Sequence, residues 1–204
     1  NRGVGLHIIV VTKRCNHLCV YCQAGRAEFQ NEKYDMNEET AKKTVDLIFQ
    51  TPAKSFTIEF QGGEPLLNWK IIKFIVEYAK TKNEIFKKRL NFSLVTNLSL
   101  MTDDKYKYLI DNNINICTSL DGPKDVHNKN RPFFNKEGTY NKVVFWIEKM
   151  RKNEKENSLK RVLSALPTLT KYSLENIKEV IDEYIKHNFN VIHLRQLSFL
   201  GCSS

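Results

Sequence analysis

Three cysteines fall within eight residues, in the run Arg14-Cys15-Asn16-His17-Leu18-Cys19-Val20-Tyr21-Cys22. Thiolates are soft ligands, and a C-x3-C-x2-C loop can wrap one compact centre, either zinc or an iron–sulfur cluster. Structural zinc wants four ligands, usually as two pairs, and the chain has no second pair. His17 could serve as a fourth ligand, but it lies inside the run and reads better as a solvent-facing loop residue. A three-cysteine cluster site instead leaves one iron open to an outside ligand. The other two thiols, Cys117 and Cys202, stand far away. An odd, uneven set of five does not make a secreted disulfide framework. It fits reduced thiols in a cytoplasmic protein.

A second group of polar residues lies downstream. In Gln61-Gly62-Gly63-Glu64-Pro65 two glycines let the backbone approach a ligand closely, and Glu64 can accept from an ammonium group. Taken alone, the same residues make a tight strand-to-helix turn. Thr96-Asn97 and Ser119-Leu120-Asp121-Gly122-Pro123 follow, with His127 and Arg131 beyond.

These residues need elements to position them. Leu6–Thr12 is a short β-branched apolar run, the pattern of a buried strand. Phe56, Ile58 and Phe60 alternate with polar residues over Ser55–Gln61, and Phe92–Thr96, Ile114–Leu120, Val162–Leu169 and Val191–Leu197 complete six strands. Pro167 leaves the limits of the fifth open. Between them run helical patterns. Ala41, Val45, Ile48 and Phe49 mark the first, which starts at an Asp35/Glu38 capping box or at Asn37. Asn68 precedes a second helix with Ile71, Ile72, Ile75, Val76 and Ala79 inward. Thr102–Asn112 is the third, and Tyr140, Val143, Val144, Ile147 and Met150 mark the fourth. Ser173 caps a fifth, with Leu174, Ile177, Val180, Ile181 and Tyr184 on its apolar face.

Strand–helix alternation with right-handed crossovers predicts an α/β fold, a partial (β/α)6 barrel of parallel strands forming one domain over residues 1–204. Ligands in such folds sit at the carboxyl ends of the strands. Every polar motif above falls on such an end.

The cysteine loop resembles that of radical S-adenosylmethionine enzymes, whose signature is C-x3-C-x2-C with an aromatic before the third cysteine, here Tyr21. The resemblance implies a [4Fe–4S] cluster on Cys15, Cys19 and Cys22, with the amine and carboxylate of S-adenosylmethionine on the open iron. It places Tyr21 against the adenine. Gly62-Gly63-Glu64-Pro65 is similar to the family's GGE motif, which holds the cofactor amine, and Thr96 and Asn97 occupy a position of polar cofactor contacts. Ser119-Leu120-Asp121-Gly122-Pro123…His127…Arg131 resembles a stretch of the peptide-modifying members. That implies Ser119 on the ribose and Arg131 on the carboxylate. Asp121 is then either a catalytic carboxylate or only the residue that folds the Asp-Gly-Pro turn. His127 reads as loop packing. Arg195 and Leu197 fall where adenine or substrate contacts are expected.

Leu6–Thr12, the cysteine loop and residues 59–68 look most like His-Xaa-Ser system maturases, and more broadly like peptide maturases that include sulfatase-maturing enzymes. This implies reductive cleavage of the cofactor to a 5′-deoxyadenosyl radical, a peptide or protein substrate, and an electron donor such as flavodoxin or ferredoxin. Maturases of this kind usually carry a further cysteine-rich domain, which Cys117 and Cys202 cannot supply, so the chain reads as a core cut from a longer protein. Radical modification of RNA, or a metal-binding interaction module without turnover, are the alternatives.

Composition narrows the field further. With 32 basic and 23 acidic side chains the net charge is +9, a sign that suits an anionic cofactor or substrate. The cations are spread over polar helix faces without a finger, heptad arm or Arg-Gly repeat, so nucleic acid is not the expected partner. The apolar runs fall far short of the ~20 residues of a membrane span. The chain opens without a basic-then-apolar leader, which argues against a signal peptide.

Overall fold

The computed structural model describes residues 3–135, 138–156 and 163–198. Val162, at the expected start of the fifth strand, and Cys202 lie outside them. Five strands pair in parallel in the order β1-β2-β3-β4-β5: Leu6–Thr12, Ser55–Gly62, Arg89–Thr96, Ile114–Thr118 and Leu163–Ala165. Helices α1 (Glu38–Ile48), α2 (Trp69–Phe86), α3 (Asp103–Asp111) and α5 (Tyr140–Glu156) connect them, with a short α4 (Lys124–Asn130) where sequence reading expected loop. After β5 come α6 (Lys171–Glu175) and α7 (Ile177–Lys186). Strand order follows chain order, as a curling βαβ series requires.

The core lies between the sheet's convex face and the helices. Ile9, Val11, Ile58, Phe60, Leu94 and Ile116 meet Ile72, Ile75, Val76, Leu109 and Ile147 there. The alternate residues form the concave face: Ile8, Glu59, Ser93 and Asn115 stand in one row across the sheet, and Val10 and Gln61 begin the next. The first strand is therefore buried on one face only, with Leu6, Ile8 and Val10 about half exposed. A β-branched run cannot distinguish this from burial on both faces.

The sixth strand is reduced to two bridges, Ala165 with Ile192 and Thr168 with Arg195. Pro167 has no N–H to give to the ladder, and its carbonyl accepts from Arg195 N at 2.9 Å. The fifth strand accordingly stops at Ala165. The structure decides between the two starts offered for α1 and changes the fifth helix. Asn37 caps α1, accepting from Thr40 N, while Asp35 is engaged by Arg14. Thr170 caps α6, and Ser173 is its capping-box partner. The expected fifth helix breaks at Asn176, and only Val180 and Tyr184 of its apolar set are buried. Leu174, Ile177 and Ile181 are exposed.

Candidate active site

The loop after β1 is shaped by a bulge in that strand. Pairing with β2 runs Val10 to Gln61 and then Thr12 to Gly62, so one residue of β1 is left over. Bulges of this kind re-aim the chain at the end of a strand. The Thr12 carbonyl then accepts from Gly63 N at 3.0 Å, and the Arg14 carbonyl from Glu64 N at 2.7 Å. The two motifs thus lie backbone against backbone. A Cβ on Gly62 would sit 2.2 Å from the Thr12 oxygen, and one on Gly63 would sit 2.2 Å from the Arg14 oxygen. The first need for these glycines is the cysteine loop itself.

Side chains fasten the loop further. Arg14 forks onto Asp35, Nε to Oδ1 at 2.9 Å and Nη2 to Oδ2 at 2.5 Å, and also donates to the Phe29 and Leu67 carbonyls. Thr12 Oγ1 donates to the same carboxylate at 2.6 Å. Asn16 and Asn97 bond to each other at 3.0 Å, and both hold Ser99. His17 is 1% exposed, contrary to the solvent-facing expectation. Its Nε2 lies 3.1 Å from Ser99 Oγ and its ring meets Phe133 edge-on. Burial, with Arg131 and Lys142 nearby, lowers its pKa to about 3, so the ring is neutral.

A cleft of about 930 Å³, open mouth included, lies at the strand ends. Cys15, Cys19 and Cys22 line it together with Tyr21, Gly62, Gly63, Thr96, Asn97, Ser119 and Arg131. Gln23, Val95 and Leu166, which had no motif to flag them, line it too, as do Thr168, Arg195 and Gln196. All three cysteines of the loop are free and partly exposed. Burial, with Asp121 and Cys22 nearby, pushes the Cys19 thiol up to about 11 against the pull of Arg131 and Arg26. Among the described residues no three His, Cys, Asp or Glu side chains converge on a single metal ion. Three free thiols on one loop are a soft donor set, one thiolate for each of three irons of a cluster.

Four expected site residues do not line the cleft. Glu64 is wholly buried behind it. Its Oε1 accepts from Leu66 N at 3.0 Å and Thr96 Oγ1 at 2.7 Å, and its Oε2 from Asn97 N at 2.8 Å. Burial raises its pKa, and the Asn97 and Leu66 amides and the Thr96 hydroxyl oppose the rise. All three of these bonds come from the protein's own donors. Pro65 is buried at the head of a 3-10 turn. Leu197 is 37% exposed, while its neighbours Gln196 and Ser198 face the cleft. Asp121 is wholly buried, its Oδ2 accepting from Tyr21 at 2.5 Å and from Arg131 Nε at 2.9 Å. His127 packs as expected, at 0% exposure, with Nδ1 accepting from Asp121 N and Nε2 beside Thr139 Oγ1.

A parallel partial barrel with three free thiols on the loop after its first strand defines a cofactor-binding α/β enzyme core. The chain belongs to the Radical SAM superfamily, whose family model matches residues 9–184. Enzymes of this family use a [4Fe–4S] cluster and S-adenosylmethionine. The cysteine-type anaerobic sulfatase-maturating enzyme of Clostridium perfringens (strain 13 / Type A) is 30% identical over 92% of this chain and 49% of its own length. The Clostridium novyi (strain NT) enzyme of the same name is 25% identical over 98% and 52%. Among solved structures, native anSMEcpe with bound AdoMet superposes with a TM-score of 0.82 at 23% identity, covering 95% of this chain and 51% of that one. The chain thus spans about half the length of these relatives.

Proposed function

We propose that this chain is the radical-generating core of an enzyme that modifies a peptide or protein. Cys15, Cys19 and Cys22 are the cluster ligands in this reading, and the observation that carries it is their common opening onto the cleft at the strand ends. When bound, the cluster and S-adenosylmethionine supply a 5′-deoxyadenosyl radical that takes hydrogen from the substrate.

The chain's own residues bind and orient. Gly62 and Gly63 present backbone to the cofactor amine, Thr96 and Asn97 add polar contacts, Ser119 meets the ribose, and Arg131 meets the carboxylate. Tyr21 walls the cleft beside them, and Leu197 is kept as a contact at its outer margin. Glu64 acts from behind, setting the Thr96–Asn97 turn through hydrogen bonds to both.

A peptide substrate is supported by the sulfatase-maturating relatives and by a neighbour solved with a bound peptide, anSMEcpe with AdoMet and Cp18Cys peptide. The finer reading, a His-Xaa-Ser-type maturase, rests on the likeness of residues 6–12, 14–22 and 59–68. An external one-electron carrier such as flavodoxin or ferredoxin would supply the electron. The test is anaerobic reconstitution, followed by dithionite, S-adenosylmethionine and a synthetic His-Xaa-Ser repeat peptide. The expected result is 5′-deoxyadenosine together with a mass change in the peptide. A full cluster that yields no 5′-deoxyadenosine would overturn the enzymatic reading. 5′-Deoxyadenosine without any change in this peptide or in a sulfatase-derived one would overturn the substrate class.

A further inference from the structure

Arg131 is more tightly held than a carboxylate contact requires. The residue is 7% exposed, and its guanidinium has three neighbours. Its Nε donates to Asp121 Oδ2 at 2.9 Å, its guanidinium carbon lies 5.0 Å from the centre of the Tyr21 ring, and its Nη1 lies 3.8 Å from Cys19 Sγ. The last distance is that of a hydrogen bond to sulfur. Asp121 Oδ2 also accepts from the Tyr21 hydroxyl, so a single buried oxygen fixes both the stacked ring and the guanidinium above it.

We propose that Arg131 sets the electron affinity of the cluster by donating Nη1–H to the Cys19 sulfur, and that Asp121 is the positioning residue that aims it. The inference rests on the assignment of Cys15, Cys19 and Cys22 as ligands made above. A donor at a ligating sulfur draws charge away from the irons and favours the reduced, more negative state, so the potential rises. The fork geometry matters because Nε and Nη1 point to different partners, and a point-charge ammonium cannot serve both. Asp121, which sequence reading offered as a catalytic carboxylate, acts here only through Arg131 and Tyr21.

The charges on the two residues make the idea testable. If Asp121 acted through its charge alone, its neutralisation would raise the potential, because a negative group near the cluster is lost. If it acts by aiming Arg131, neutralisation lowers the potential, as loss of the donor does. The experiment is a mediator titration of the anaerobically reconstituted protein without S-adenosylmethionine, followed by the electron paramagnetic resonance signal of the reduced cluster. At the wild-type midpoint, Arg131→Gln should lower the reduced-to-oxidised ratio about tenfold, equivalent to ~1.4 kcal/mol, the scale of one hydrogen bond. Arg131→Lys, which keeps the charge and spares the fold if the glutamine variant does not assemble, should lower it less. Asp121→Asn should lower it too. An unchanged or higher ratio in both Arg131 variants would overturn the tuning role, and a higher ratio in Asp121→Asn would overturn the aiming role. Wild-type protein that takes up no iron would instead overturn the ligand assignment, and the iron content tells that failure apart from the others.

Discussion

The two walls of the cleft are built differently. On the cysteine side, residues 12–17 are tied to Asp35, Leu67, Asn97, Ser99 and the glycine loop by at least one hydrogen bond each. On the opposite side, residues 163–198 contribute a three-residue strand, two bridges and a helix pair broken at Asn176. Leu174, Ile177, Ile181 and Ile185 stand exposed on that pair, and Leu194 is 65% exposed in the segment that follows. Local stability tracks buried apolar contact and protected hydrogen bonds. The wall that carries the thiols is the more densely bonded one, and the other exposes more apolar surface.

The contrast can be broken outright at the thiols. Cys19→Ser is expected to abolish iron uptake on anaerobic reconstitution, whereas Cys117→Ser, buried in β4 away from the loop, should retain it; iron analysis of the two proteins decides. Next in size is the clamp. Asp35→Ala takes the carboxylate from Arg14, a residue 7% exposed, and leaves its guanidinium only the Phe29 and Leu67 carbonyls and the more distant Glu32, which should cost about 3 kcal/mol in a denaturant titration. Glu64→Gln sets an amide donor against donors from Asn97, Leu66 or Thr96, and should cost about 1.5–3 kcal/mol of stability. Loss of cofactor affinity at unchanged stability would return Glu64 to the role of a direct ligand.

Acid probes the packing between the two walls. His127 is wholly buried, and burial with Arg131 and His17 nearby lowers its pKa well below the ordinary value. The unfolded chain takes a proton near pH 6.5 and the folded one does not. The stabilisation is therefore complete above that pH and is lost as pH falls, by at most about 1.4 kcal/mol per pH unit for one such group. Melts from pH 7.5 to 5 should show this slope together with a like contribution from His17, and His127→Gln should remove about half of the total. The smallest effect belongs to the looser wall: Ile181→Ala, on an exposed face, should stay within ~0.5 kcal/mol of wild type by the same melts. A loss above 2 kcal/mol would show that this face is covered in solution.

Strand positions were legible because β-branched and alternating runs are local signals, and β1 holds the limits read from sequence, Leu6–Thr12. The cysteine spacing and the Gly-Gly-Glu-Pro turn were legible for the same reason. The rest depended on distant partners. His17 reads as a loop residue until Phe133, 116 positions later in the chain, closes over it. Glu64 reads as free until Thr96 and Asn97 claim its oxygens. Asp35 looked like a cap because nothing local shows that Arg14 takes it. Arg14 itself carried no signal beyond standing next to the first cysteine. The sixth strand failed through chemistry visible in advance, the missing N–H of Pro167, whose reach along the ladder cannot be read from one residue.

The meeting of Thr12 and Arg14 with Gly62 and Gly63 has a consequence for how such a protein can vary. The join is made of main-chain atoms on one side and absent side chains on the other. Residues 12 and 14 enter the join through their carbonyls, while their side chains hold the path of the loop from the other side through Asp35. Positions 62 and 63 tolerate one amino acid. An engineer who wishes to graft a different cysteine loop onto this barrel therefore inherits a socket that is strict about the shape of the insert and needs its two anchors to Asp35 kept.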